Sequence, residues 1–352
     1  MLDFKKIVLI GAYPPPVGGV SIHIHRLISL LSDVAFFDVV DESAIIKKEW
    51  PFNLRSLNLL KYLRIVRQAD IVHVHSGLFI RRLFHILICR FLLKKYVVVT
   101  IHHSPSVESF TSVTKWLLSK CNHAILVNQE GYDMMFTPSK CEYHVIPAFL
   151  PPIVADEPEL PNTVEEWLEK KRQNNYVICI SNAWRLVVND GVDLYGLDIC
   201  IEAFRELKKM GCRCCIIFVV ASNPSQSSLM EVYKQRINEY GLENDFLIWE
   251  QPLSFVRLIL ESDIVLRTTN TDGDALSIRE ALYFDKTVIA SDVVKRPNGV
   301  KLFENRDVIS LVGAIRDNCI KGHCRANNVQ KNYTSSYINI YRLQNHFEHD
   351  SQ

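Results

Sequence analysis

Short runs of β-branched and other apolar residues alternate with stretches of helical periodicity, and the alternation runs through the chain twice. In the first half, residues 6–10, 71–75, 96–101, 124–128 and 143–146 have the composition of buried strands. Ile24, Leu27, Ile28 and Leu31 recur at helical spacing within residues 23–31; a second helix follows residue 75 through Leu93, and a third lies around residues 113–119. Buried strands separated by helices imply a parallel sheet covered on both faces, because parallel neighbours need a crossover and the helix supplies it. Residues 147–161, rich in proline and acidic side chains and without a period, read as an interdomain linker. The pattern then restarts, with strands at 176–180, 215–220, 246–249, 264–267 and 287–290 and helices at 197–210, 228–240 and 276–284. A last helix is expected over 333–347.

The expected fold is therefore α/β: two doubly wound, Rossmann-like domains over residues 1–160 and 161–330, with a helical tail, 331–352, packing back on the first. A length of 352 residues suits two cores of ordinary size. Sheets of this type take ligands at the carboxyl ends of their strands, so a cleft with the domains facing each other is the expected site. A net charge of +1 argues against a dedicated nucleic-acid binder. Cys212, Cys214 and Cys215 fall in an apolar run with no C-x2-C partner pair, which suits free thiols in a reducing cytoplasm better than a zinc cluster. The opening run Ile7-Val8-Leu9-Ile10 is too short for a signal peptide. Arg81, Arg82, His85, Arg90, Lys94 and Lys95 interrupt the longest apolar stretch, 78–100, and exclude an ordinary spanning helix. Residues 79–95 keep two readings: a basic amphipathic helix resting on an anionic membrane, or a core helix with snorkelling ends.

Three loops follow strands where a ligand would bind. In residues 268–282, TTNTDGDALSIREAL, a strand gives way to a polar loop and a helix starting near Ala275. Free N–H groups and the dipole at such a start favour a phosphate, and Asp272 and Glu280 are spaced to reach two ends of one extended ligand. Residues 14–23, PPPVGGVSIH, carry Gly18 and Gly19 before the first helix, where backbone N–H groups can approach a ligand, although no G-x-G-x-x-G dinucleotide fingerprint is present. Residues 178–186, ICISNAWRL, place Arg185 after a strand, and Tyr195-Gly196 precedes the next helix.

Together these segments resemble family 4 retaining glycosyltransferases of the GT-B fold, of the bacterial surface-polysaccharide type. Asp272 and Glu280 take the two acidic positions of the Glu-x7-Glu signature. The resemblance implies that Asp272 lies beside the donor sugar, that Glu280 binds the ribose hydroxyls, and that Gly273, Asp274, Ala275, Leu276 and Ser277 line the donor site. It implies a diphosphate contact for Arg185 and for the Gly18-Gly19 loop, and a sugar contact for His102, with His103 beside it. Tyr195 departs from the pattern, standing where the family carries lysine, with Lys286, Lys295 and Arg296 as candidate replacements. The implied activity is metal-independent transfer from a nucleotide-sugar, a UDP-sugar by family frequency, without a cofactor. The implied acceptor is a glycan or polyprenyl-diphosphate-linked oligosaccharide of O-antigen or capsule synthesis, met in the cytoplasm or on the inner face of the plasma membrane. Alternatives are a non-catalytic GT-B-fold binding protein and a nucleotide-sugar epimerase. Asp272-Gly-Asp274 also reads as the metal-holding Asp-x-Asp of the other major glycosyltransferase architecture, against which two doubly wound halves argue. Structural duty is expected for His73, packing or capping for His23 and His25, and no metal set among the histidines, since none has the i, i+4 helix spacing with a carboxylate partner.

Overall fold

The computed structural model describes residues 4–15, 18–48, 50–102, 110–189, 191–221, 227–272, 275–321 and 333–343. The chain divides into two compact units, Met1–Pro151 with Asn332–Gln352, and Pro152–Lys331.

The first unit holds β1 (Lys6–Gly11), α1 (Gly19–Leu31), β2 (Phe36–Asp41), β3 (Phe52–Asn53), α2 (Leu59–Gln68), β4 (Ile71–Val74), α3 (Phe79–Ile86), β5 (Tyr96–Ile101), α4 (Thr111–Lys120), β6 (His123–Leu126), α5 (Gln129–Met135) and β7 (Glu142–Val145). Its seven-stranded sheet has the order β3-β2-β1-β4-β5-β6-β7, and every pairing is parallel. Alternation along the strands divides the core. Val8 and Ile10 of β1 join Val72, Val74, Val97 and Val99 beneath α2 to α4, whereas Ile7 and Leu9 face α1. Beyond Ile86 the helix of the apolar stretch widens into a π-turn, Leu87–Leu92.

The second unit holds α6 (Asn162–Gln173), β8 (Val177–Ala183), a small antiparallel hairpin of β9 (Val188–Asn189) and β10 (Val192–Asp193), α7 (Leu197–Lys209), β11 (Cys214–Val220), α8 (Ser227–Glu239), β12 (Phe246–Trp249), α9 (Phe255–Glu261), β13 (Ile264–Arg267), α10 (Leu276–Tyr283), β14 (Thr287–Ser291), β15 (Val300–Phe303) and α11 (Val308–Lys321). Its six-stranded sheet, β12-β11-β8-β13-β14-β15, is again wholly parallel. Cys215, Ile217 and Val219 pack towards α6, α9 and α10, while Cys214, Ile216 and Phe218 pack towards α7, α8 and α11. Cys214 and Cys215 are thus strand core, while Cys212 precedes β11 and is half-buried; the bond with the Cys319 thiol and then burial raise the Cys214 thiol, and burial raises that of Cys215.

The last helix, α12 (Thr334–Tyr341), belongs to the first unit and lies against α1. Tyr337 and Tyr341 are fully buried there, and the Lys5 ammonium donates to the Tyr341 and Arg342 carbonyls, both at 3.0 Å. In each sheet the first strand lies between neighbours that follow it in opposite directions, so the order reverses between β1 and β4 and between β8 and β13. Crossover connections leave in opposite directions at these points and open a crevice at the carboxyl ends.

Candidate active site

In the second unit the carboxyl ends of β8, β13 and β14 carry three arginines and Asp272. Asp272 follows β13, and its side chain is 6% exposed. The Arg267 guanidinium grips it with two hydrogen bonds, Nε to Oδ2 at 3.0 Å and Nη2 to Oδ1 at 2.8 Å. Arg296, from the loop after β14, donates Nη1 to Oδ2 at 2.6 Å and anchors itself on the Ser291 carbonyl at 3.0 Å. Burial alone would raise the Asp272 carboxyl, but the two guanidiniums outweigh it and hold its pKa below the ordinary value. The group of three keeps one net positive charge. Arg185 stands exposed after β8.

Tyr195 occupies a well-fixed corner. Asp193 accepts from the Tyr195 and Gly196 N–H groups at 2.8 and 3.1 Å, and Thr268 Oγ1 donates to the Tyr195 carbonyl at 2.8 Å. Arg267 lies 5.8 Å from the centre of the Tyr195 ring. Where the resemblance expects a lysine, the structure thus offers an aromatic face with an arginine beside it. Of the candidate replacements, Arg296 belongs to this cluster. Lys286 is committed elsewhere, donating at 2.8 Å to the Leu260 and Ser262 carbonyls at the end of α9, and Lys295 is exposed. Helix α10 begins after Ala275, which has no side-chain cap bond to its N–H groups; Leu276 and Ser277 form its first turn. Glu280, also on α10, is 5% exposed. Gly273, Asp274 and His103 lie outside the described residues.

The switch point of the first unit gathers histidines. Gly11 ends β1 where an added Cβ would stand 2.7 Å from Ile24 Cδ1 and 3.0 Å from His75 Cβ, so glycine lets α1 and the end of β4 close on the strand. His23 from α1, His75 after β4 and His102 after β5 form a triangle, with ring centres 5.3, 5.0 and 5.2 Å apart. His75 Nδ1 and His102 Nε2 are 2.9 Å apart, and His23 Nδ1 meets the Ala148 carbonyl at 2.7 Å. Burial lowers the His23 pKa to about 4, with the charge of Arg26 adding and the Ala148 bond opposing; burial also takes His75 well below the ordinary value. His73 is structural, held between the Tyr341 hydroxyl at 2.5 Å and Thr100 Oγ1 at 2.7 Å. His25 meets the Tyr13 hydroxyl at 3.2 Å.

Gly18 caps α1, and the Ser21 hydroxyl accepts its N–H at 2.8 Å. A Cβ built on Gly19 meets nothing within 4 Å, which leaves space beside the helix start. The basic residues of 79–95 are largely used internally. Arg81 donates to the Glu42 carbonyl, Arg90 to that of Lys120 and Lys95 to those of Arg67 and Ala69, while Arg82 is 1% exposed. Sequence reasoning missed the Arg267–Asp272 pairing, whose signal was an arginine five residues before the acid at a strand end. It also missed the three-histidine cluster, which has no local signal because its members come from three separate elements.

No protein-family model and no curated protein matches the chain by sequence. Solved structures do match its fold. HepE from Anabaena, in complex with UDP and glucose, is 16% identical with a TM-score of 0.61 over 96% of this chain and 95% of that one. A glycosyltransferase from Rickettsia africae is 16% identical with a TM-score of 0.64, over 96% and 94%. Sucrose-phosphate synthase from Thermosynechococcus elongatus is 15% identical with a TM-score of 0.58, over 96% and 98%. These are GT-B structures, and the chain has the GT-B fold.

Proposed function

We propose that the protein is a retaining glycosyltransferase that moves a sugar from a nucleotide-sugar donor to a glycan or lipid-linked oligosaccharide. The observation that carries this reading is the cluster of Asp272, Arg267 and Arg296 at the carboxyl ends of β13 and β14 in the second sheet, with Asp272 three residues before Ala275 at the start of α10 and on the same chain segment as Glu280. When the donor breaks, negative charge collects on the leaving diphosphate. Guanidiniums already fixed by a carboxylate and a backbone carbonyl stabilise that charge without reorganising. Arg267 and Arg296 then supply the cation that Tyr195 lacks, with Arg185 and the N–H groups of Ala275, Leu276 and Ser277 completing the diphosphate contacts within the second unit. Asp272 holds the arginines and stands beside the donor sugar, and Glu280 binds the ribose; the sugar contact of His102 follows from the family 4 resemblance alone. The chemistry uses no metal on the diphosphate. UDP-sugars are the first donors to test, since HepE is solved with UDP and with UDP-glucose.

The acceptor class follows the family 4 resemblance to surface-polysaccharide enzymes. Among the described residues no helix is long and apolar enough to cross a membrane. Peripheral contact is supported by an apolar surface along α3, its π-turn and α4. Ile80 is 75% exposed and Leu92 67%, and the exposed rings of Phe91 and Trp116 stack at 5.9 Å. The test is incubation with labelled nucleotide-sugars and a bacterial lipid extract. Label in the lipid fraction, with release of one nucleoside diphosphate and loss of both in Asp272→Asn, is the expected result. Nucleotide binding without consumption would instead identify a non-catalytic binder, and a new nucleotide-sugar would identify an epimerase.

A further inference from the structure

The histidine triangle at the switch point of the first sheet is more ordered than contact with a sugar requires. His75 is fully buried, and its Nε2 has no hydrogen-bond partner among the described residues. A buried ring nitrogen without a partner costs about 1–3 kcal/mol, so its retention calls for a reason. His23, His75 and His102 each offer one nitrogen, and these nitrogens all lie within 4.8 Å of one another. A tetrahedral ion bound at about 2.0–2.1 Å needs its nitrogens about 3.3 Å apart and its imidazole centres about 5 Å apart. The observed centres, at 5.3, 5.0 and 5.2 Å, already meet the second condition. For the first, His75 Nδ1 and His102 Nε2 are already 2.9 Å apart and all three nitrogens lie within 4.8 Å, so the rings must turn towards one centre.

The surroundings suit a ligand set. A metal-bound imidazole gives its other N–H to a carbonyl or carboxylate, which fixes the ring and raises its basicity. His23 does this through Nδ1 to the Ala148 carbonyl at 2.7 Å, leaving Nε2 as the nitrogen with a lone pair; the Tyr337 hydroxyl lies 3.3 Å from it and would give way to the ion. His75 is held in place by the His73 ring, whose centre is 3.9 Å away and which is itself pinned by Tyr341 and Thr100. The three residues come from α1 and from the ends of β4 and β5, rigid elements of one core.

We propose that His23, His75 and His102 bind one divalent transition-metal ion of the zinc class, with a fourth position open to water or an oxygen ligand. All-imidazole sites suit Zn2+, Co2+, Ni2+ and Cu2+ rather than Mg2+ or Ca2+, which take oxygen ligands. Coordination uses one ring nitrogen of His102 and keeps the other outside the coordination sphere, so the site does not depend on the transfer reading and is tested without donor. A second group, His123, Glu142 and His144, also has its ligand atoms within 4.8 Å, but the Glu142 side chain is 65% exposed and His123 already meets the Tyr96 hydroxyl at 2.6 Å. That group serves as the control.

The experiment is a Co2+ titration of chelator-treated, full-length protein, followed by visible absorption and equilibrium dialysis, with no nucleotide present. The expected result is one Co2+ per chain with the intense visible bands of a four-coordinate ion, displaced by Zn2+. His102→Gln, at the half-buried end of β5, and His75→Gln should each weaken binding by at least about tenfold. His144→Gln should leave it unchanged, and far-UV circular dichroism confirms that each variant is folded. If His75→Gln does not fold, His102→Gln alone decides. Absence of binding, the weak spectrum of a six-coordinate ion, or binding that survives His102→Gln would each overturn the proposal, as would loss of binding in His144→Gln.

Discussion

Gly196→Ala and Gly211→Ala compare two glycines at opposite ends of α7 with nearly the same backbone, φ +75 and +72. Placing an L side chain in this left-handed region costs about 1–2 kcal/mol at either position. The surroundings differ. A Cβ on Gly196 would stand 2.3 Å from the Thr268 carbonyl oxygen and 2.9 Å from both Cβ and Oγ1 of Thr268, whereas one on Gly211 meets nothing within 4 Å. The first contact is with backbone at the end of β13, which the sheet holds, so relief requires moving the strand end that carries Arg267. Such overpacking adds about 1–3 kcal/mol. Gly211→Ala should therefore cost about 1–2 kcal/mol and Gly196→Ala about 2–5 kcal/mol. Urea unfolding monitored by circular dichroism, with midpoints compared at constant slope, gives both values. Equal losses would show that the corner between Tyr195 and Thr268 is not tightly packed and would remove the stated support of the arginine cluster. If the corner does position Arg267, Gly196→Ala also weakens nucleotide binding and Gly211→Ala does not.

Asp272→Asn leaves two nearly buried guanidiniums without their carboxylate and should lower stability by about 3 kcal/mol, read by urea unfolding, besides abolishing transfer. Because its folded pKa is depressed, the Asp272 contribution is full above its unfolded value near 3.9 and is lost as pH falls through the folded value, so wild type and Asp272→Asn should converge in stability below about pH 4. His23 is buried and neutral with a pKa of about 4, below its unfolded value, so its contribution is complete above about pH 6.5 and falls by about 1.4 kcal/mol per pH unit towards pH 4. Unfolding at pH 7 and pH 5.5 should show this drop in the metal-free protein, and His23→Asn should reduce it; a flat profile would contradict the burial argument. Ile80→Asp and Leu92→Asp should each reduce co-sedimentation with anionic vesicles without altering nucleotide binding, and unchanged sedimentation would remove the membrane surface.

Much of the fold was legible because parallel strands are buried on both faces and therefore spell continuous apolar runs. β5, β12 and β13 have the predicted bounds, and most other predicted elements differ by a few residues. Two omitted strands share a cause. β2 begins with exposed Phe36 and contains Asp38, and β15 exposes Lys301 and Leu302, so neither edge-side strand has a clean apolar run. Leu57 just before α2 and Leu59 and Leu60 at its start are all exposed, which blurs its periodicity. In the site, Asp272 and Glu280 stood out from spacing after a strand, and Arg185 from the family resemblance. The partners of Asp272 were less visible. Arg267 reads as the last residue of a strand, and Arg296 comes from 24 residues beyond the acid. The histidine triangle depends on β1, β4 and β5 being neighbours, which only the sheet order establishes.

Donor binding by the second unit can be measured by isothermal titration of UDP, GDP, ADP and their glucose conjugates into the full-length protein with a chelator present, alongside Glu280→Gln. One nucleoside diphosphate should bind in chelator, and Glu280→Gln, which removes a charge from a buried ribose contact, should weaken it by about tenfold or more. Failure of every nucleotide to bind, or equal affinity in wild type and Glu280→Gln, would contradict it.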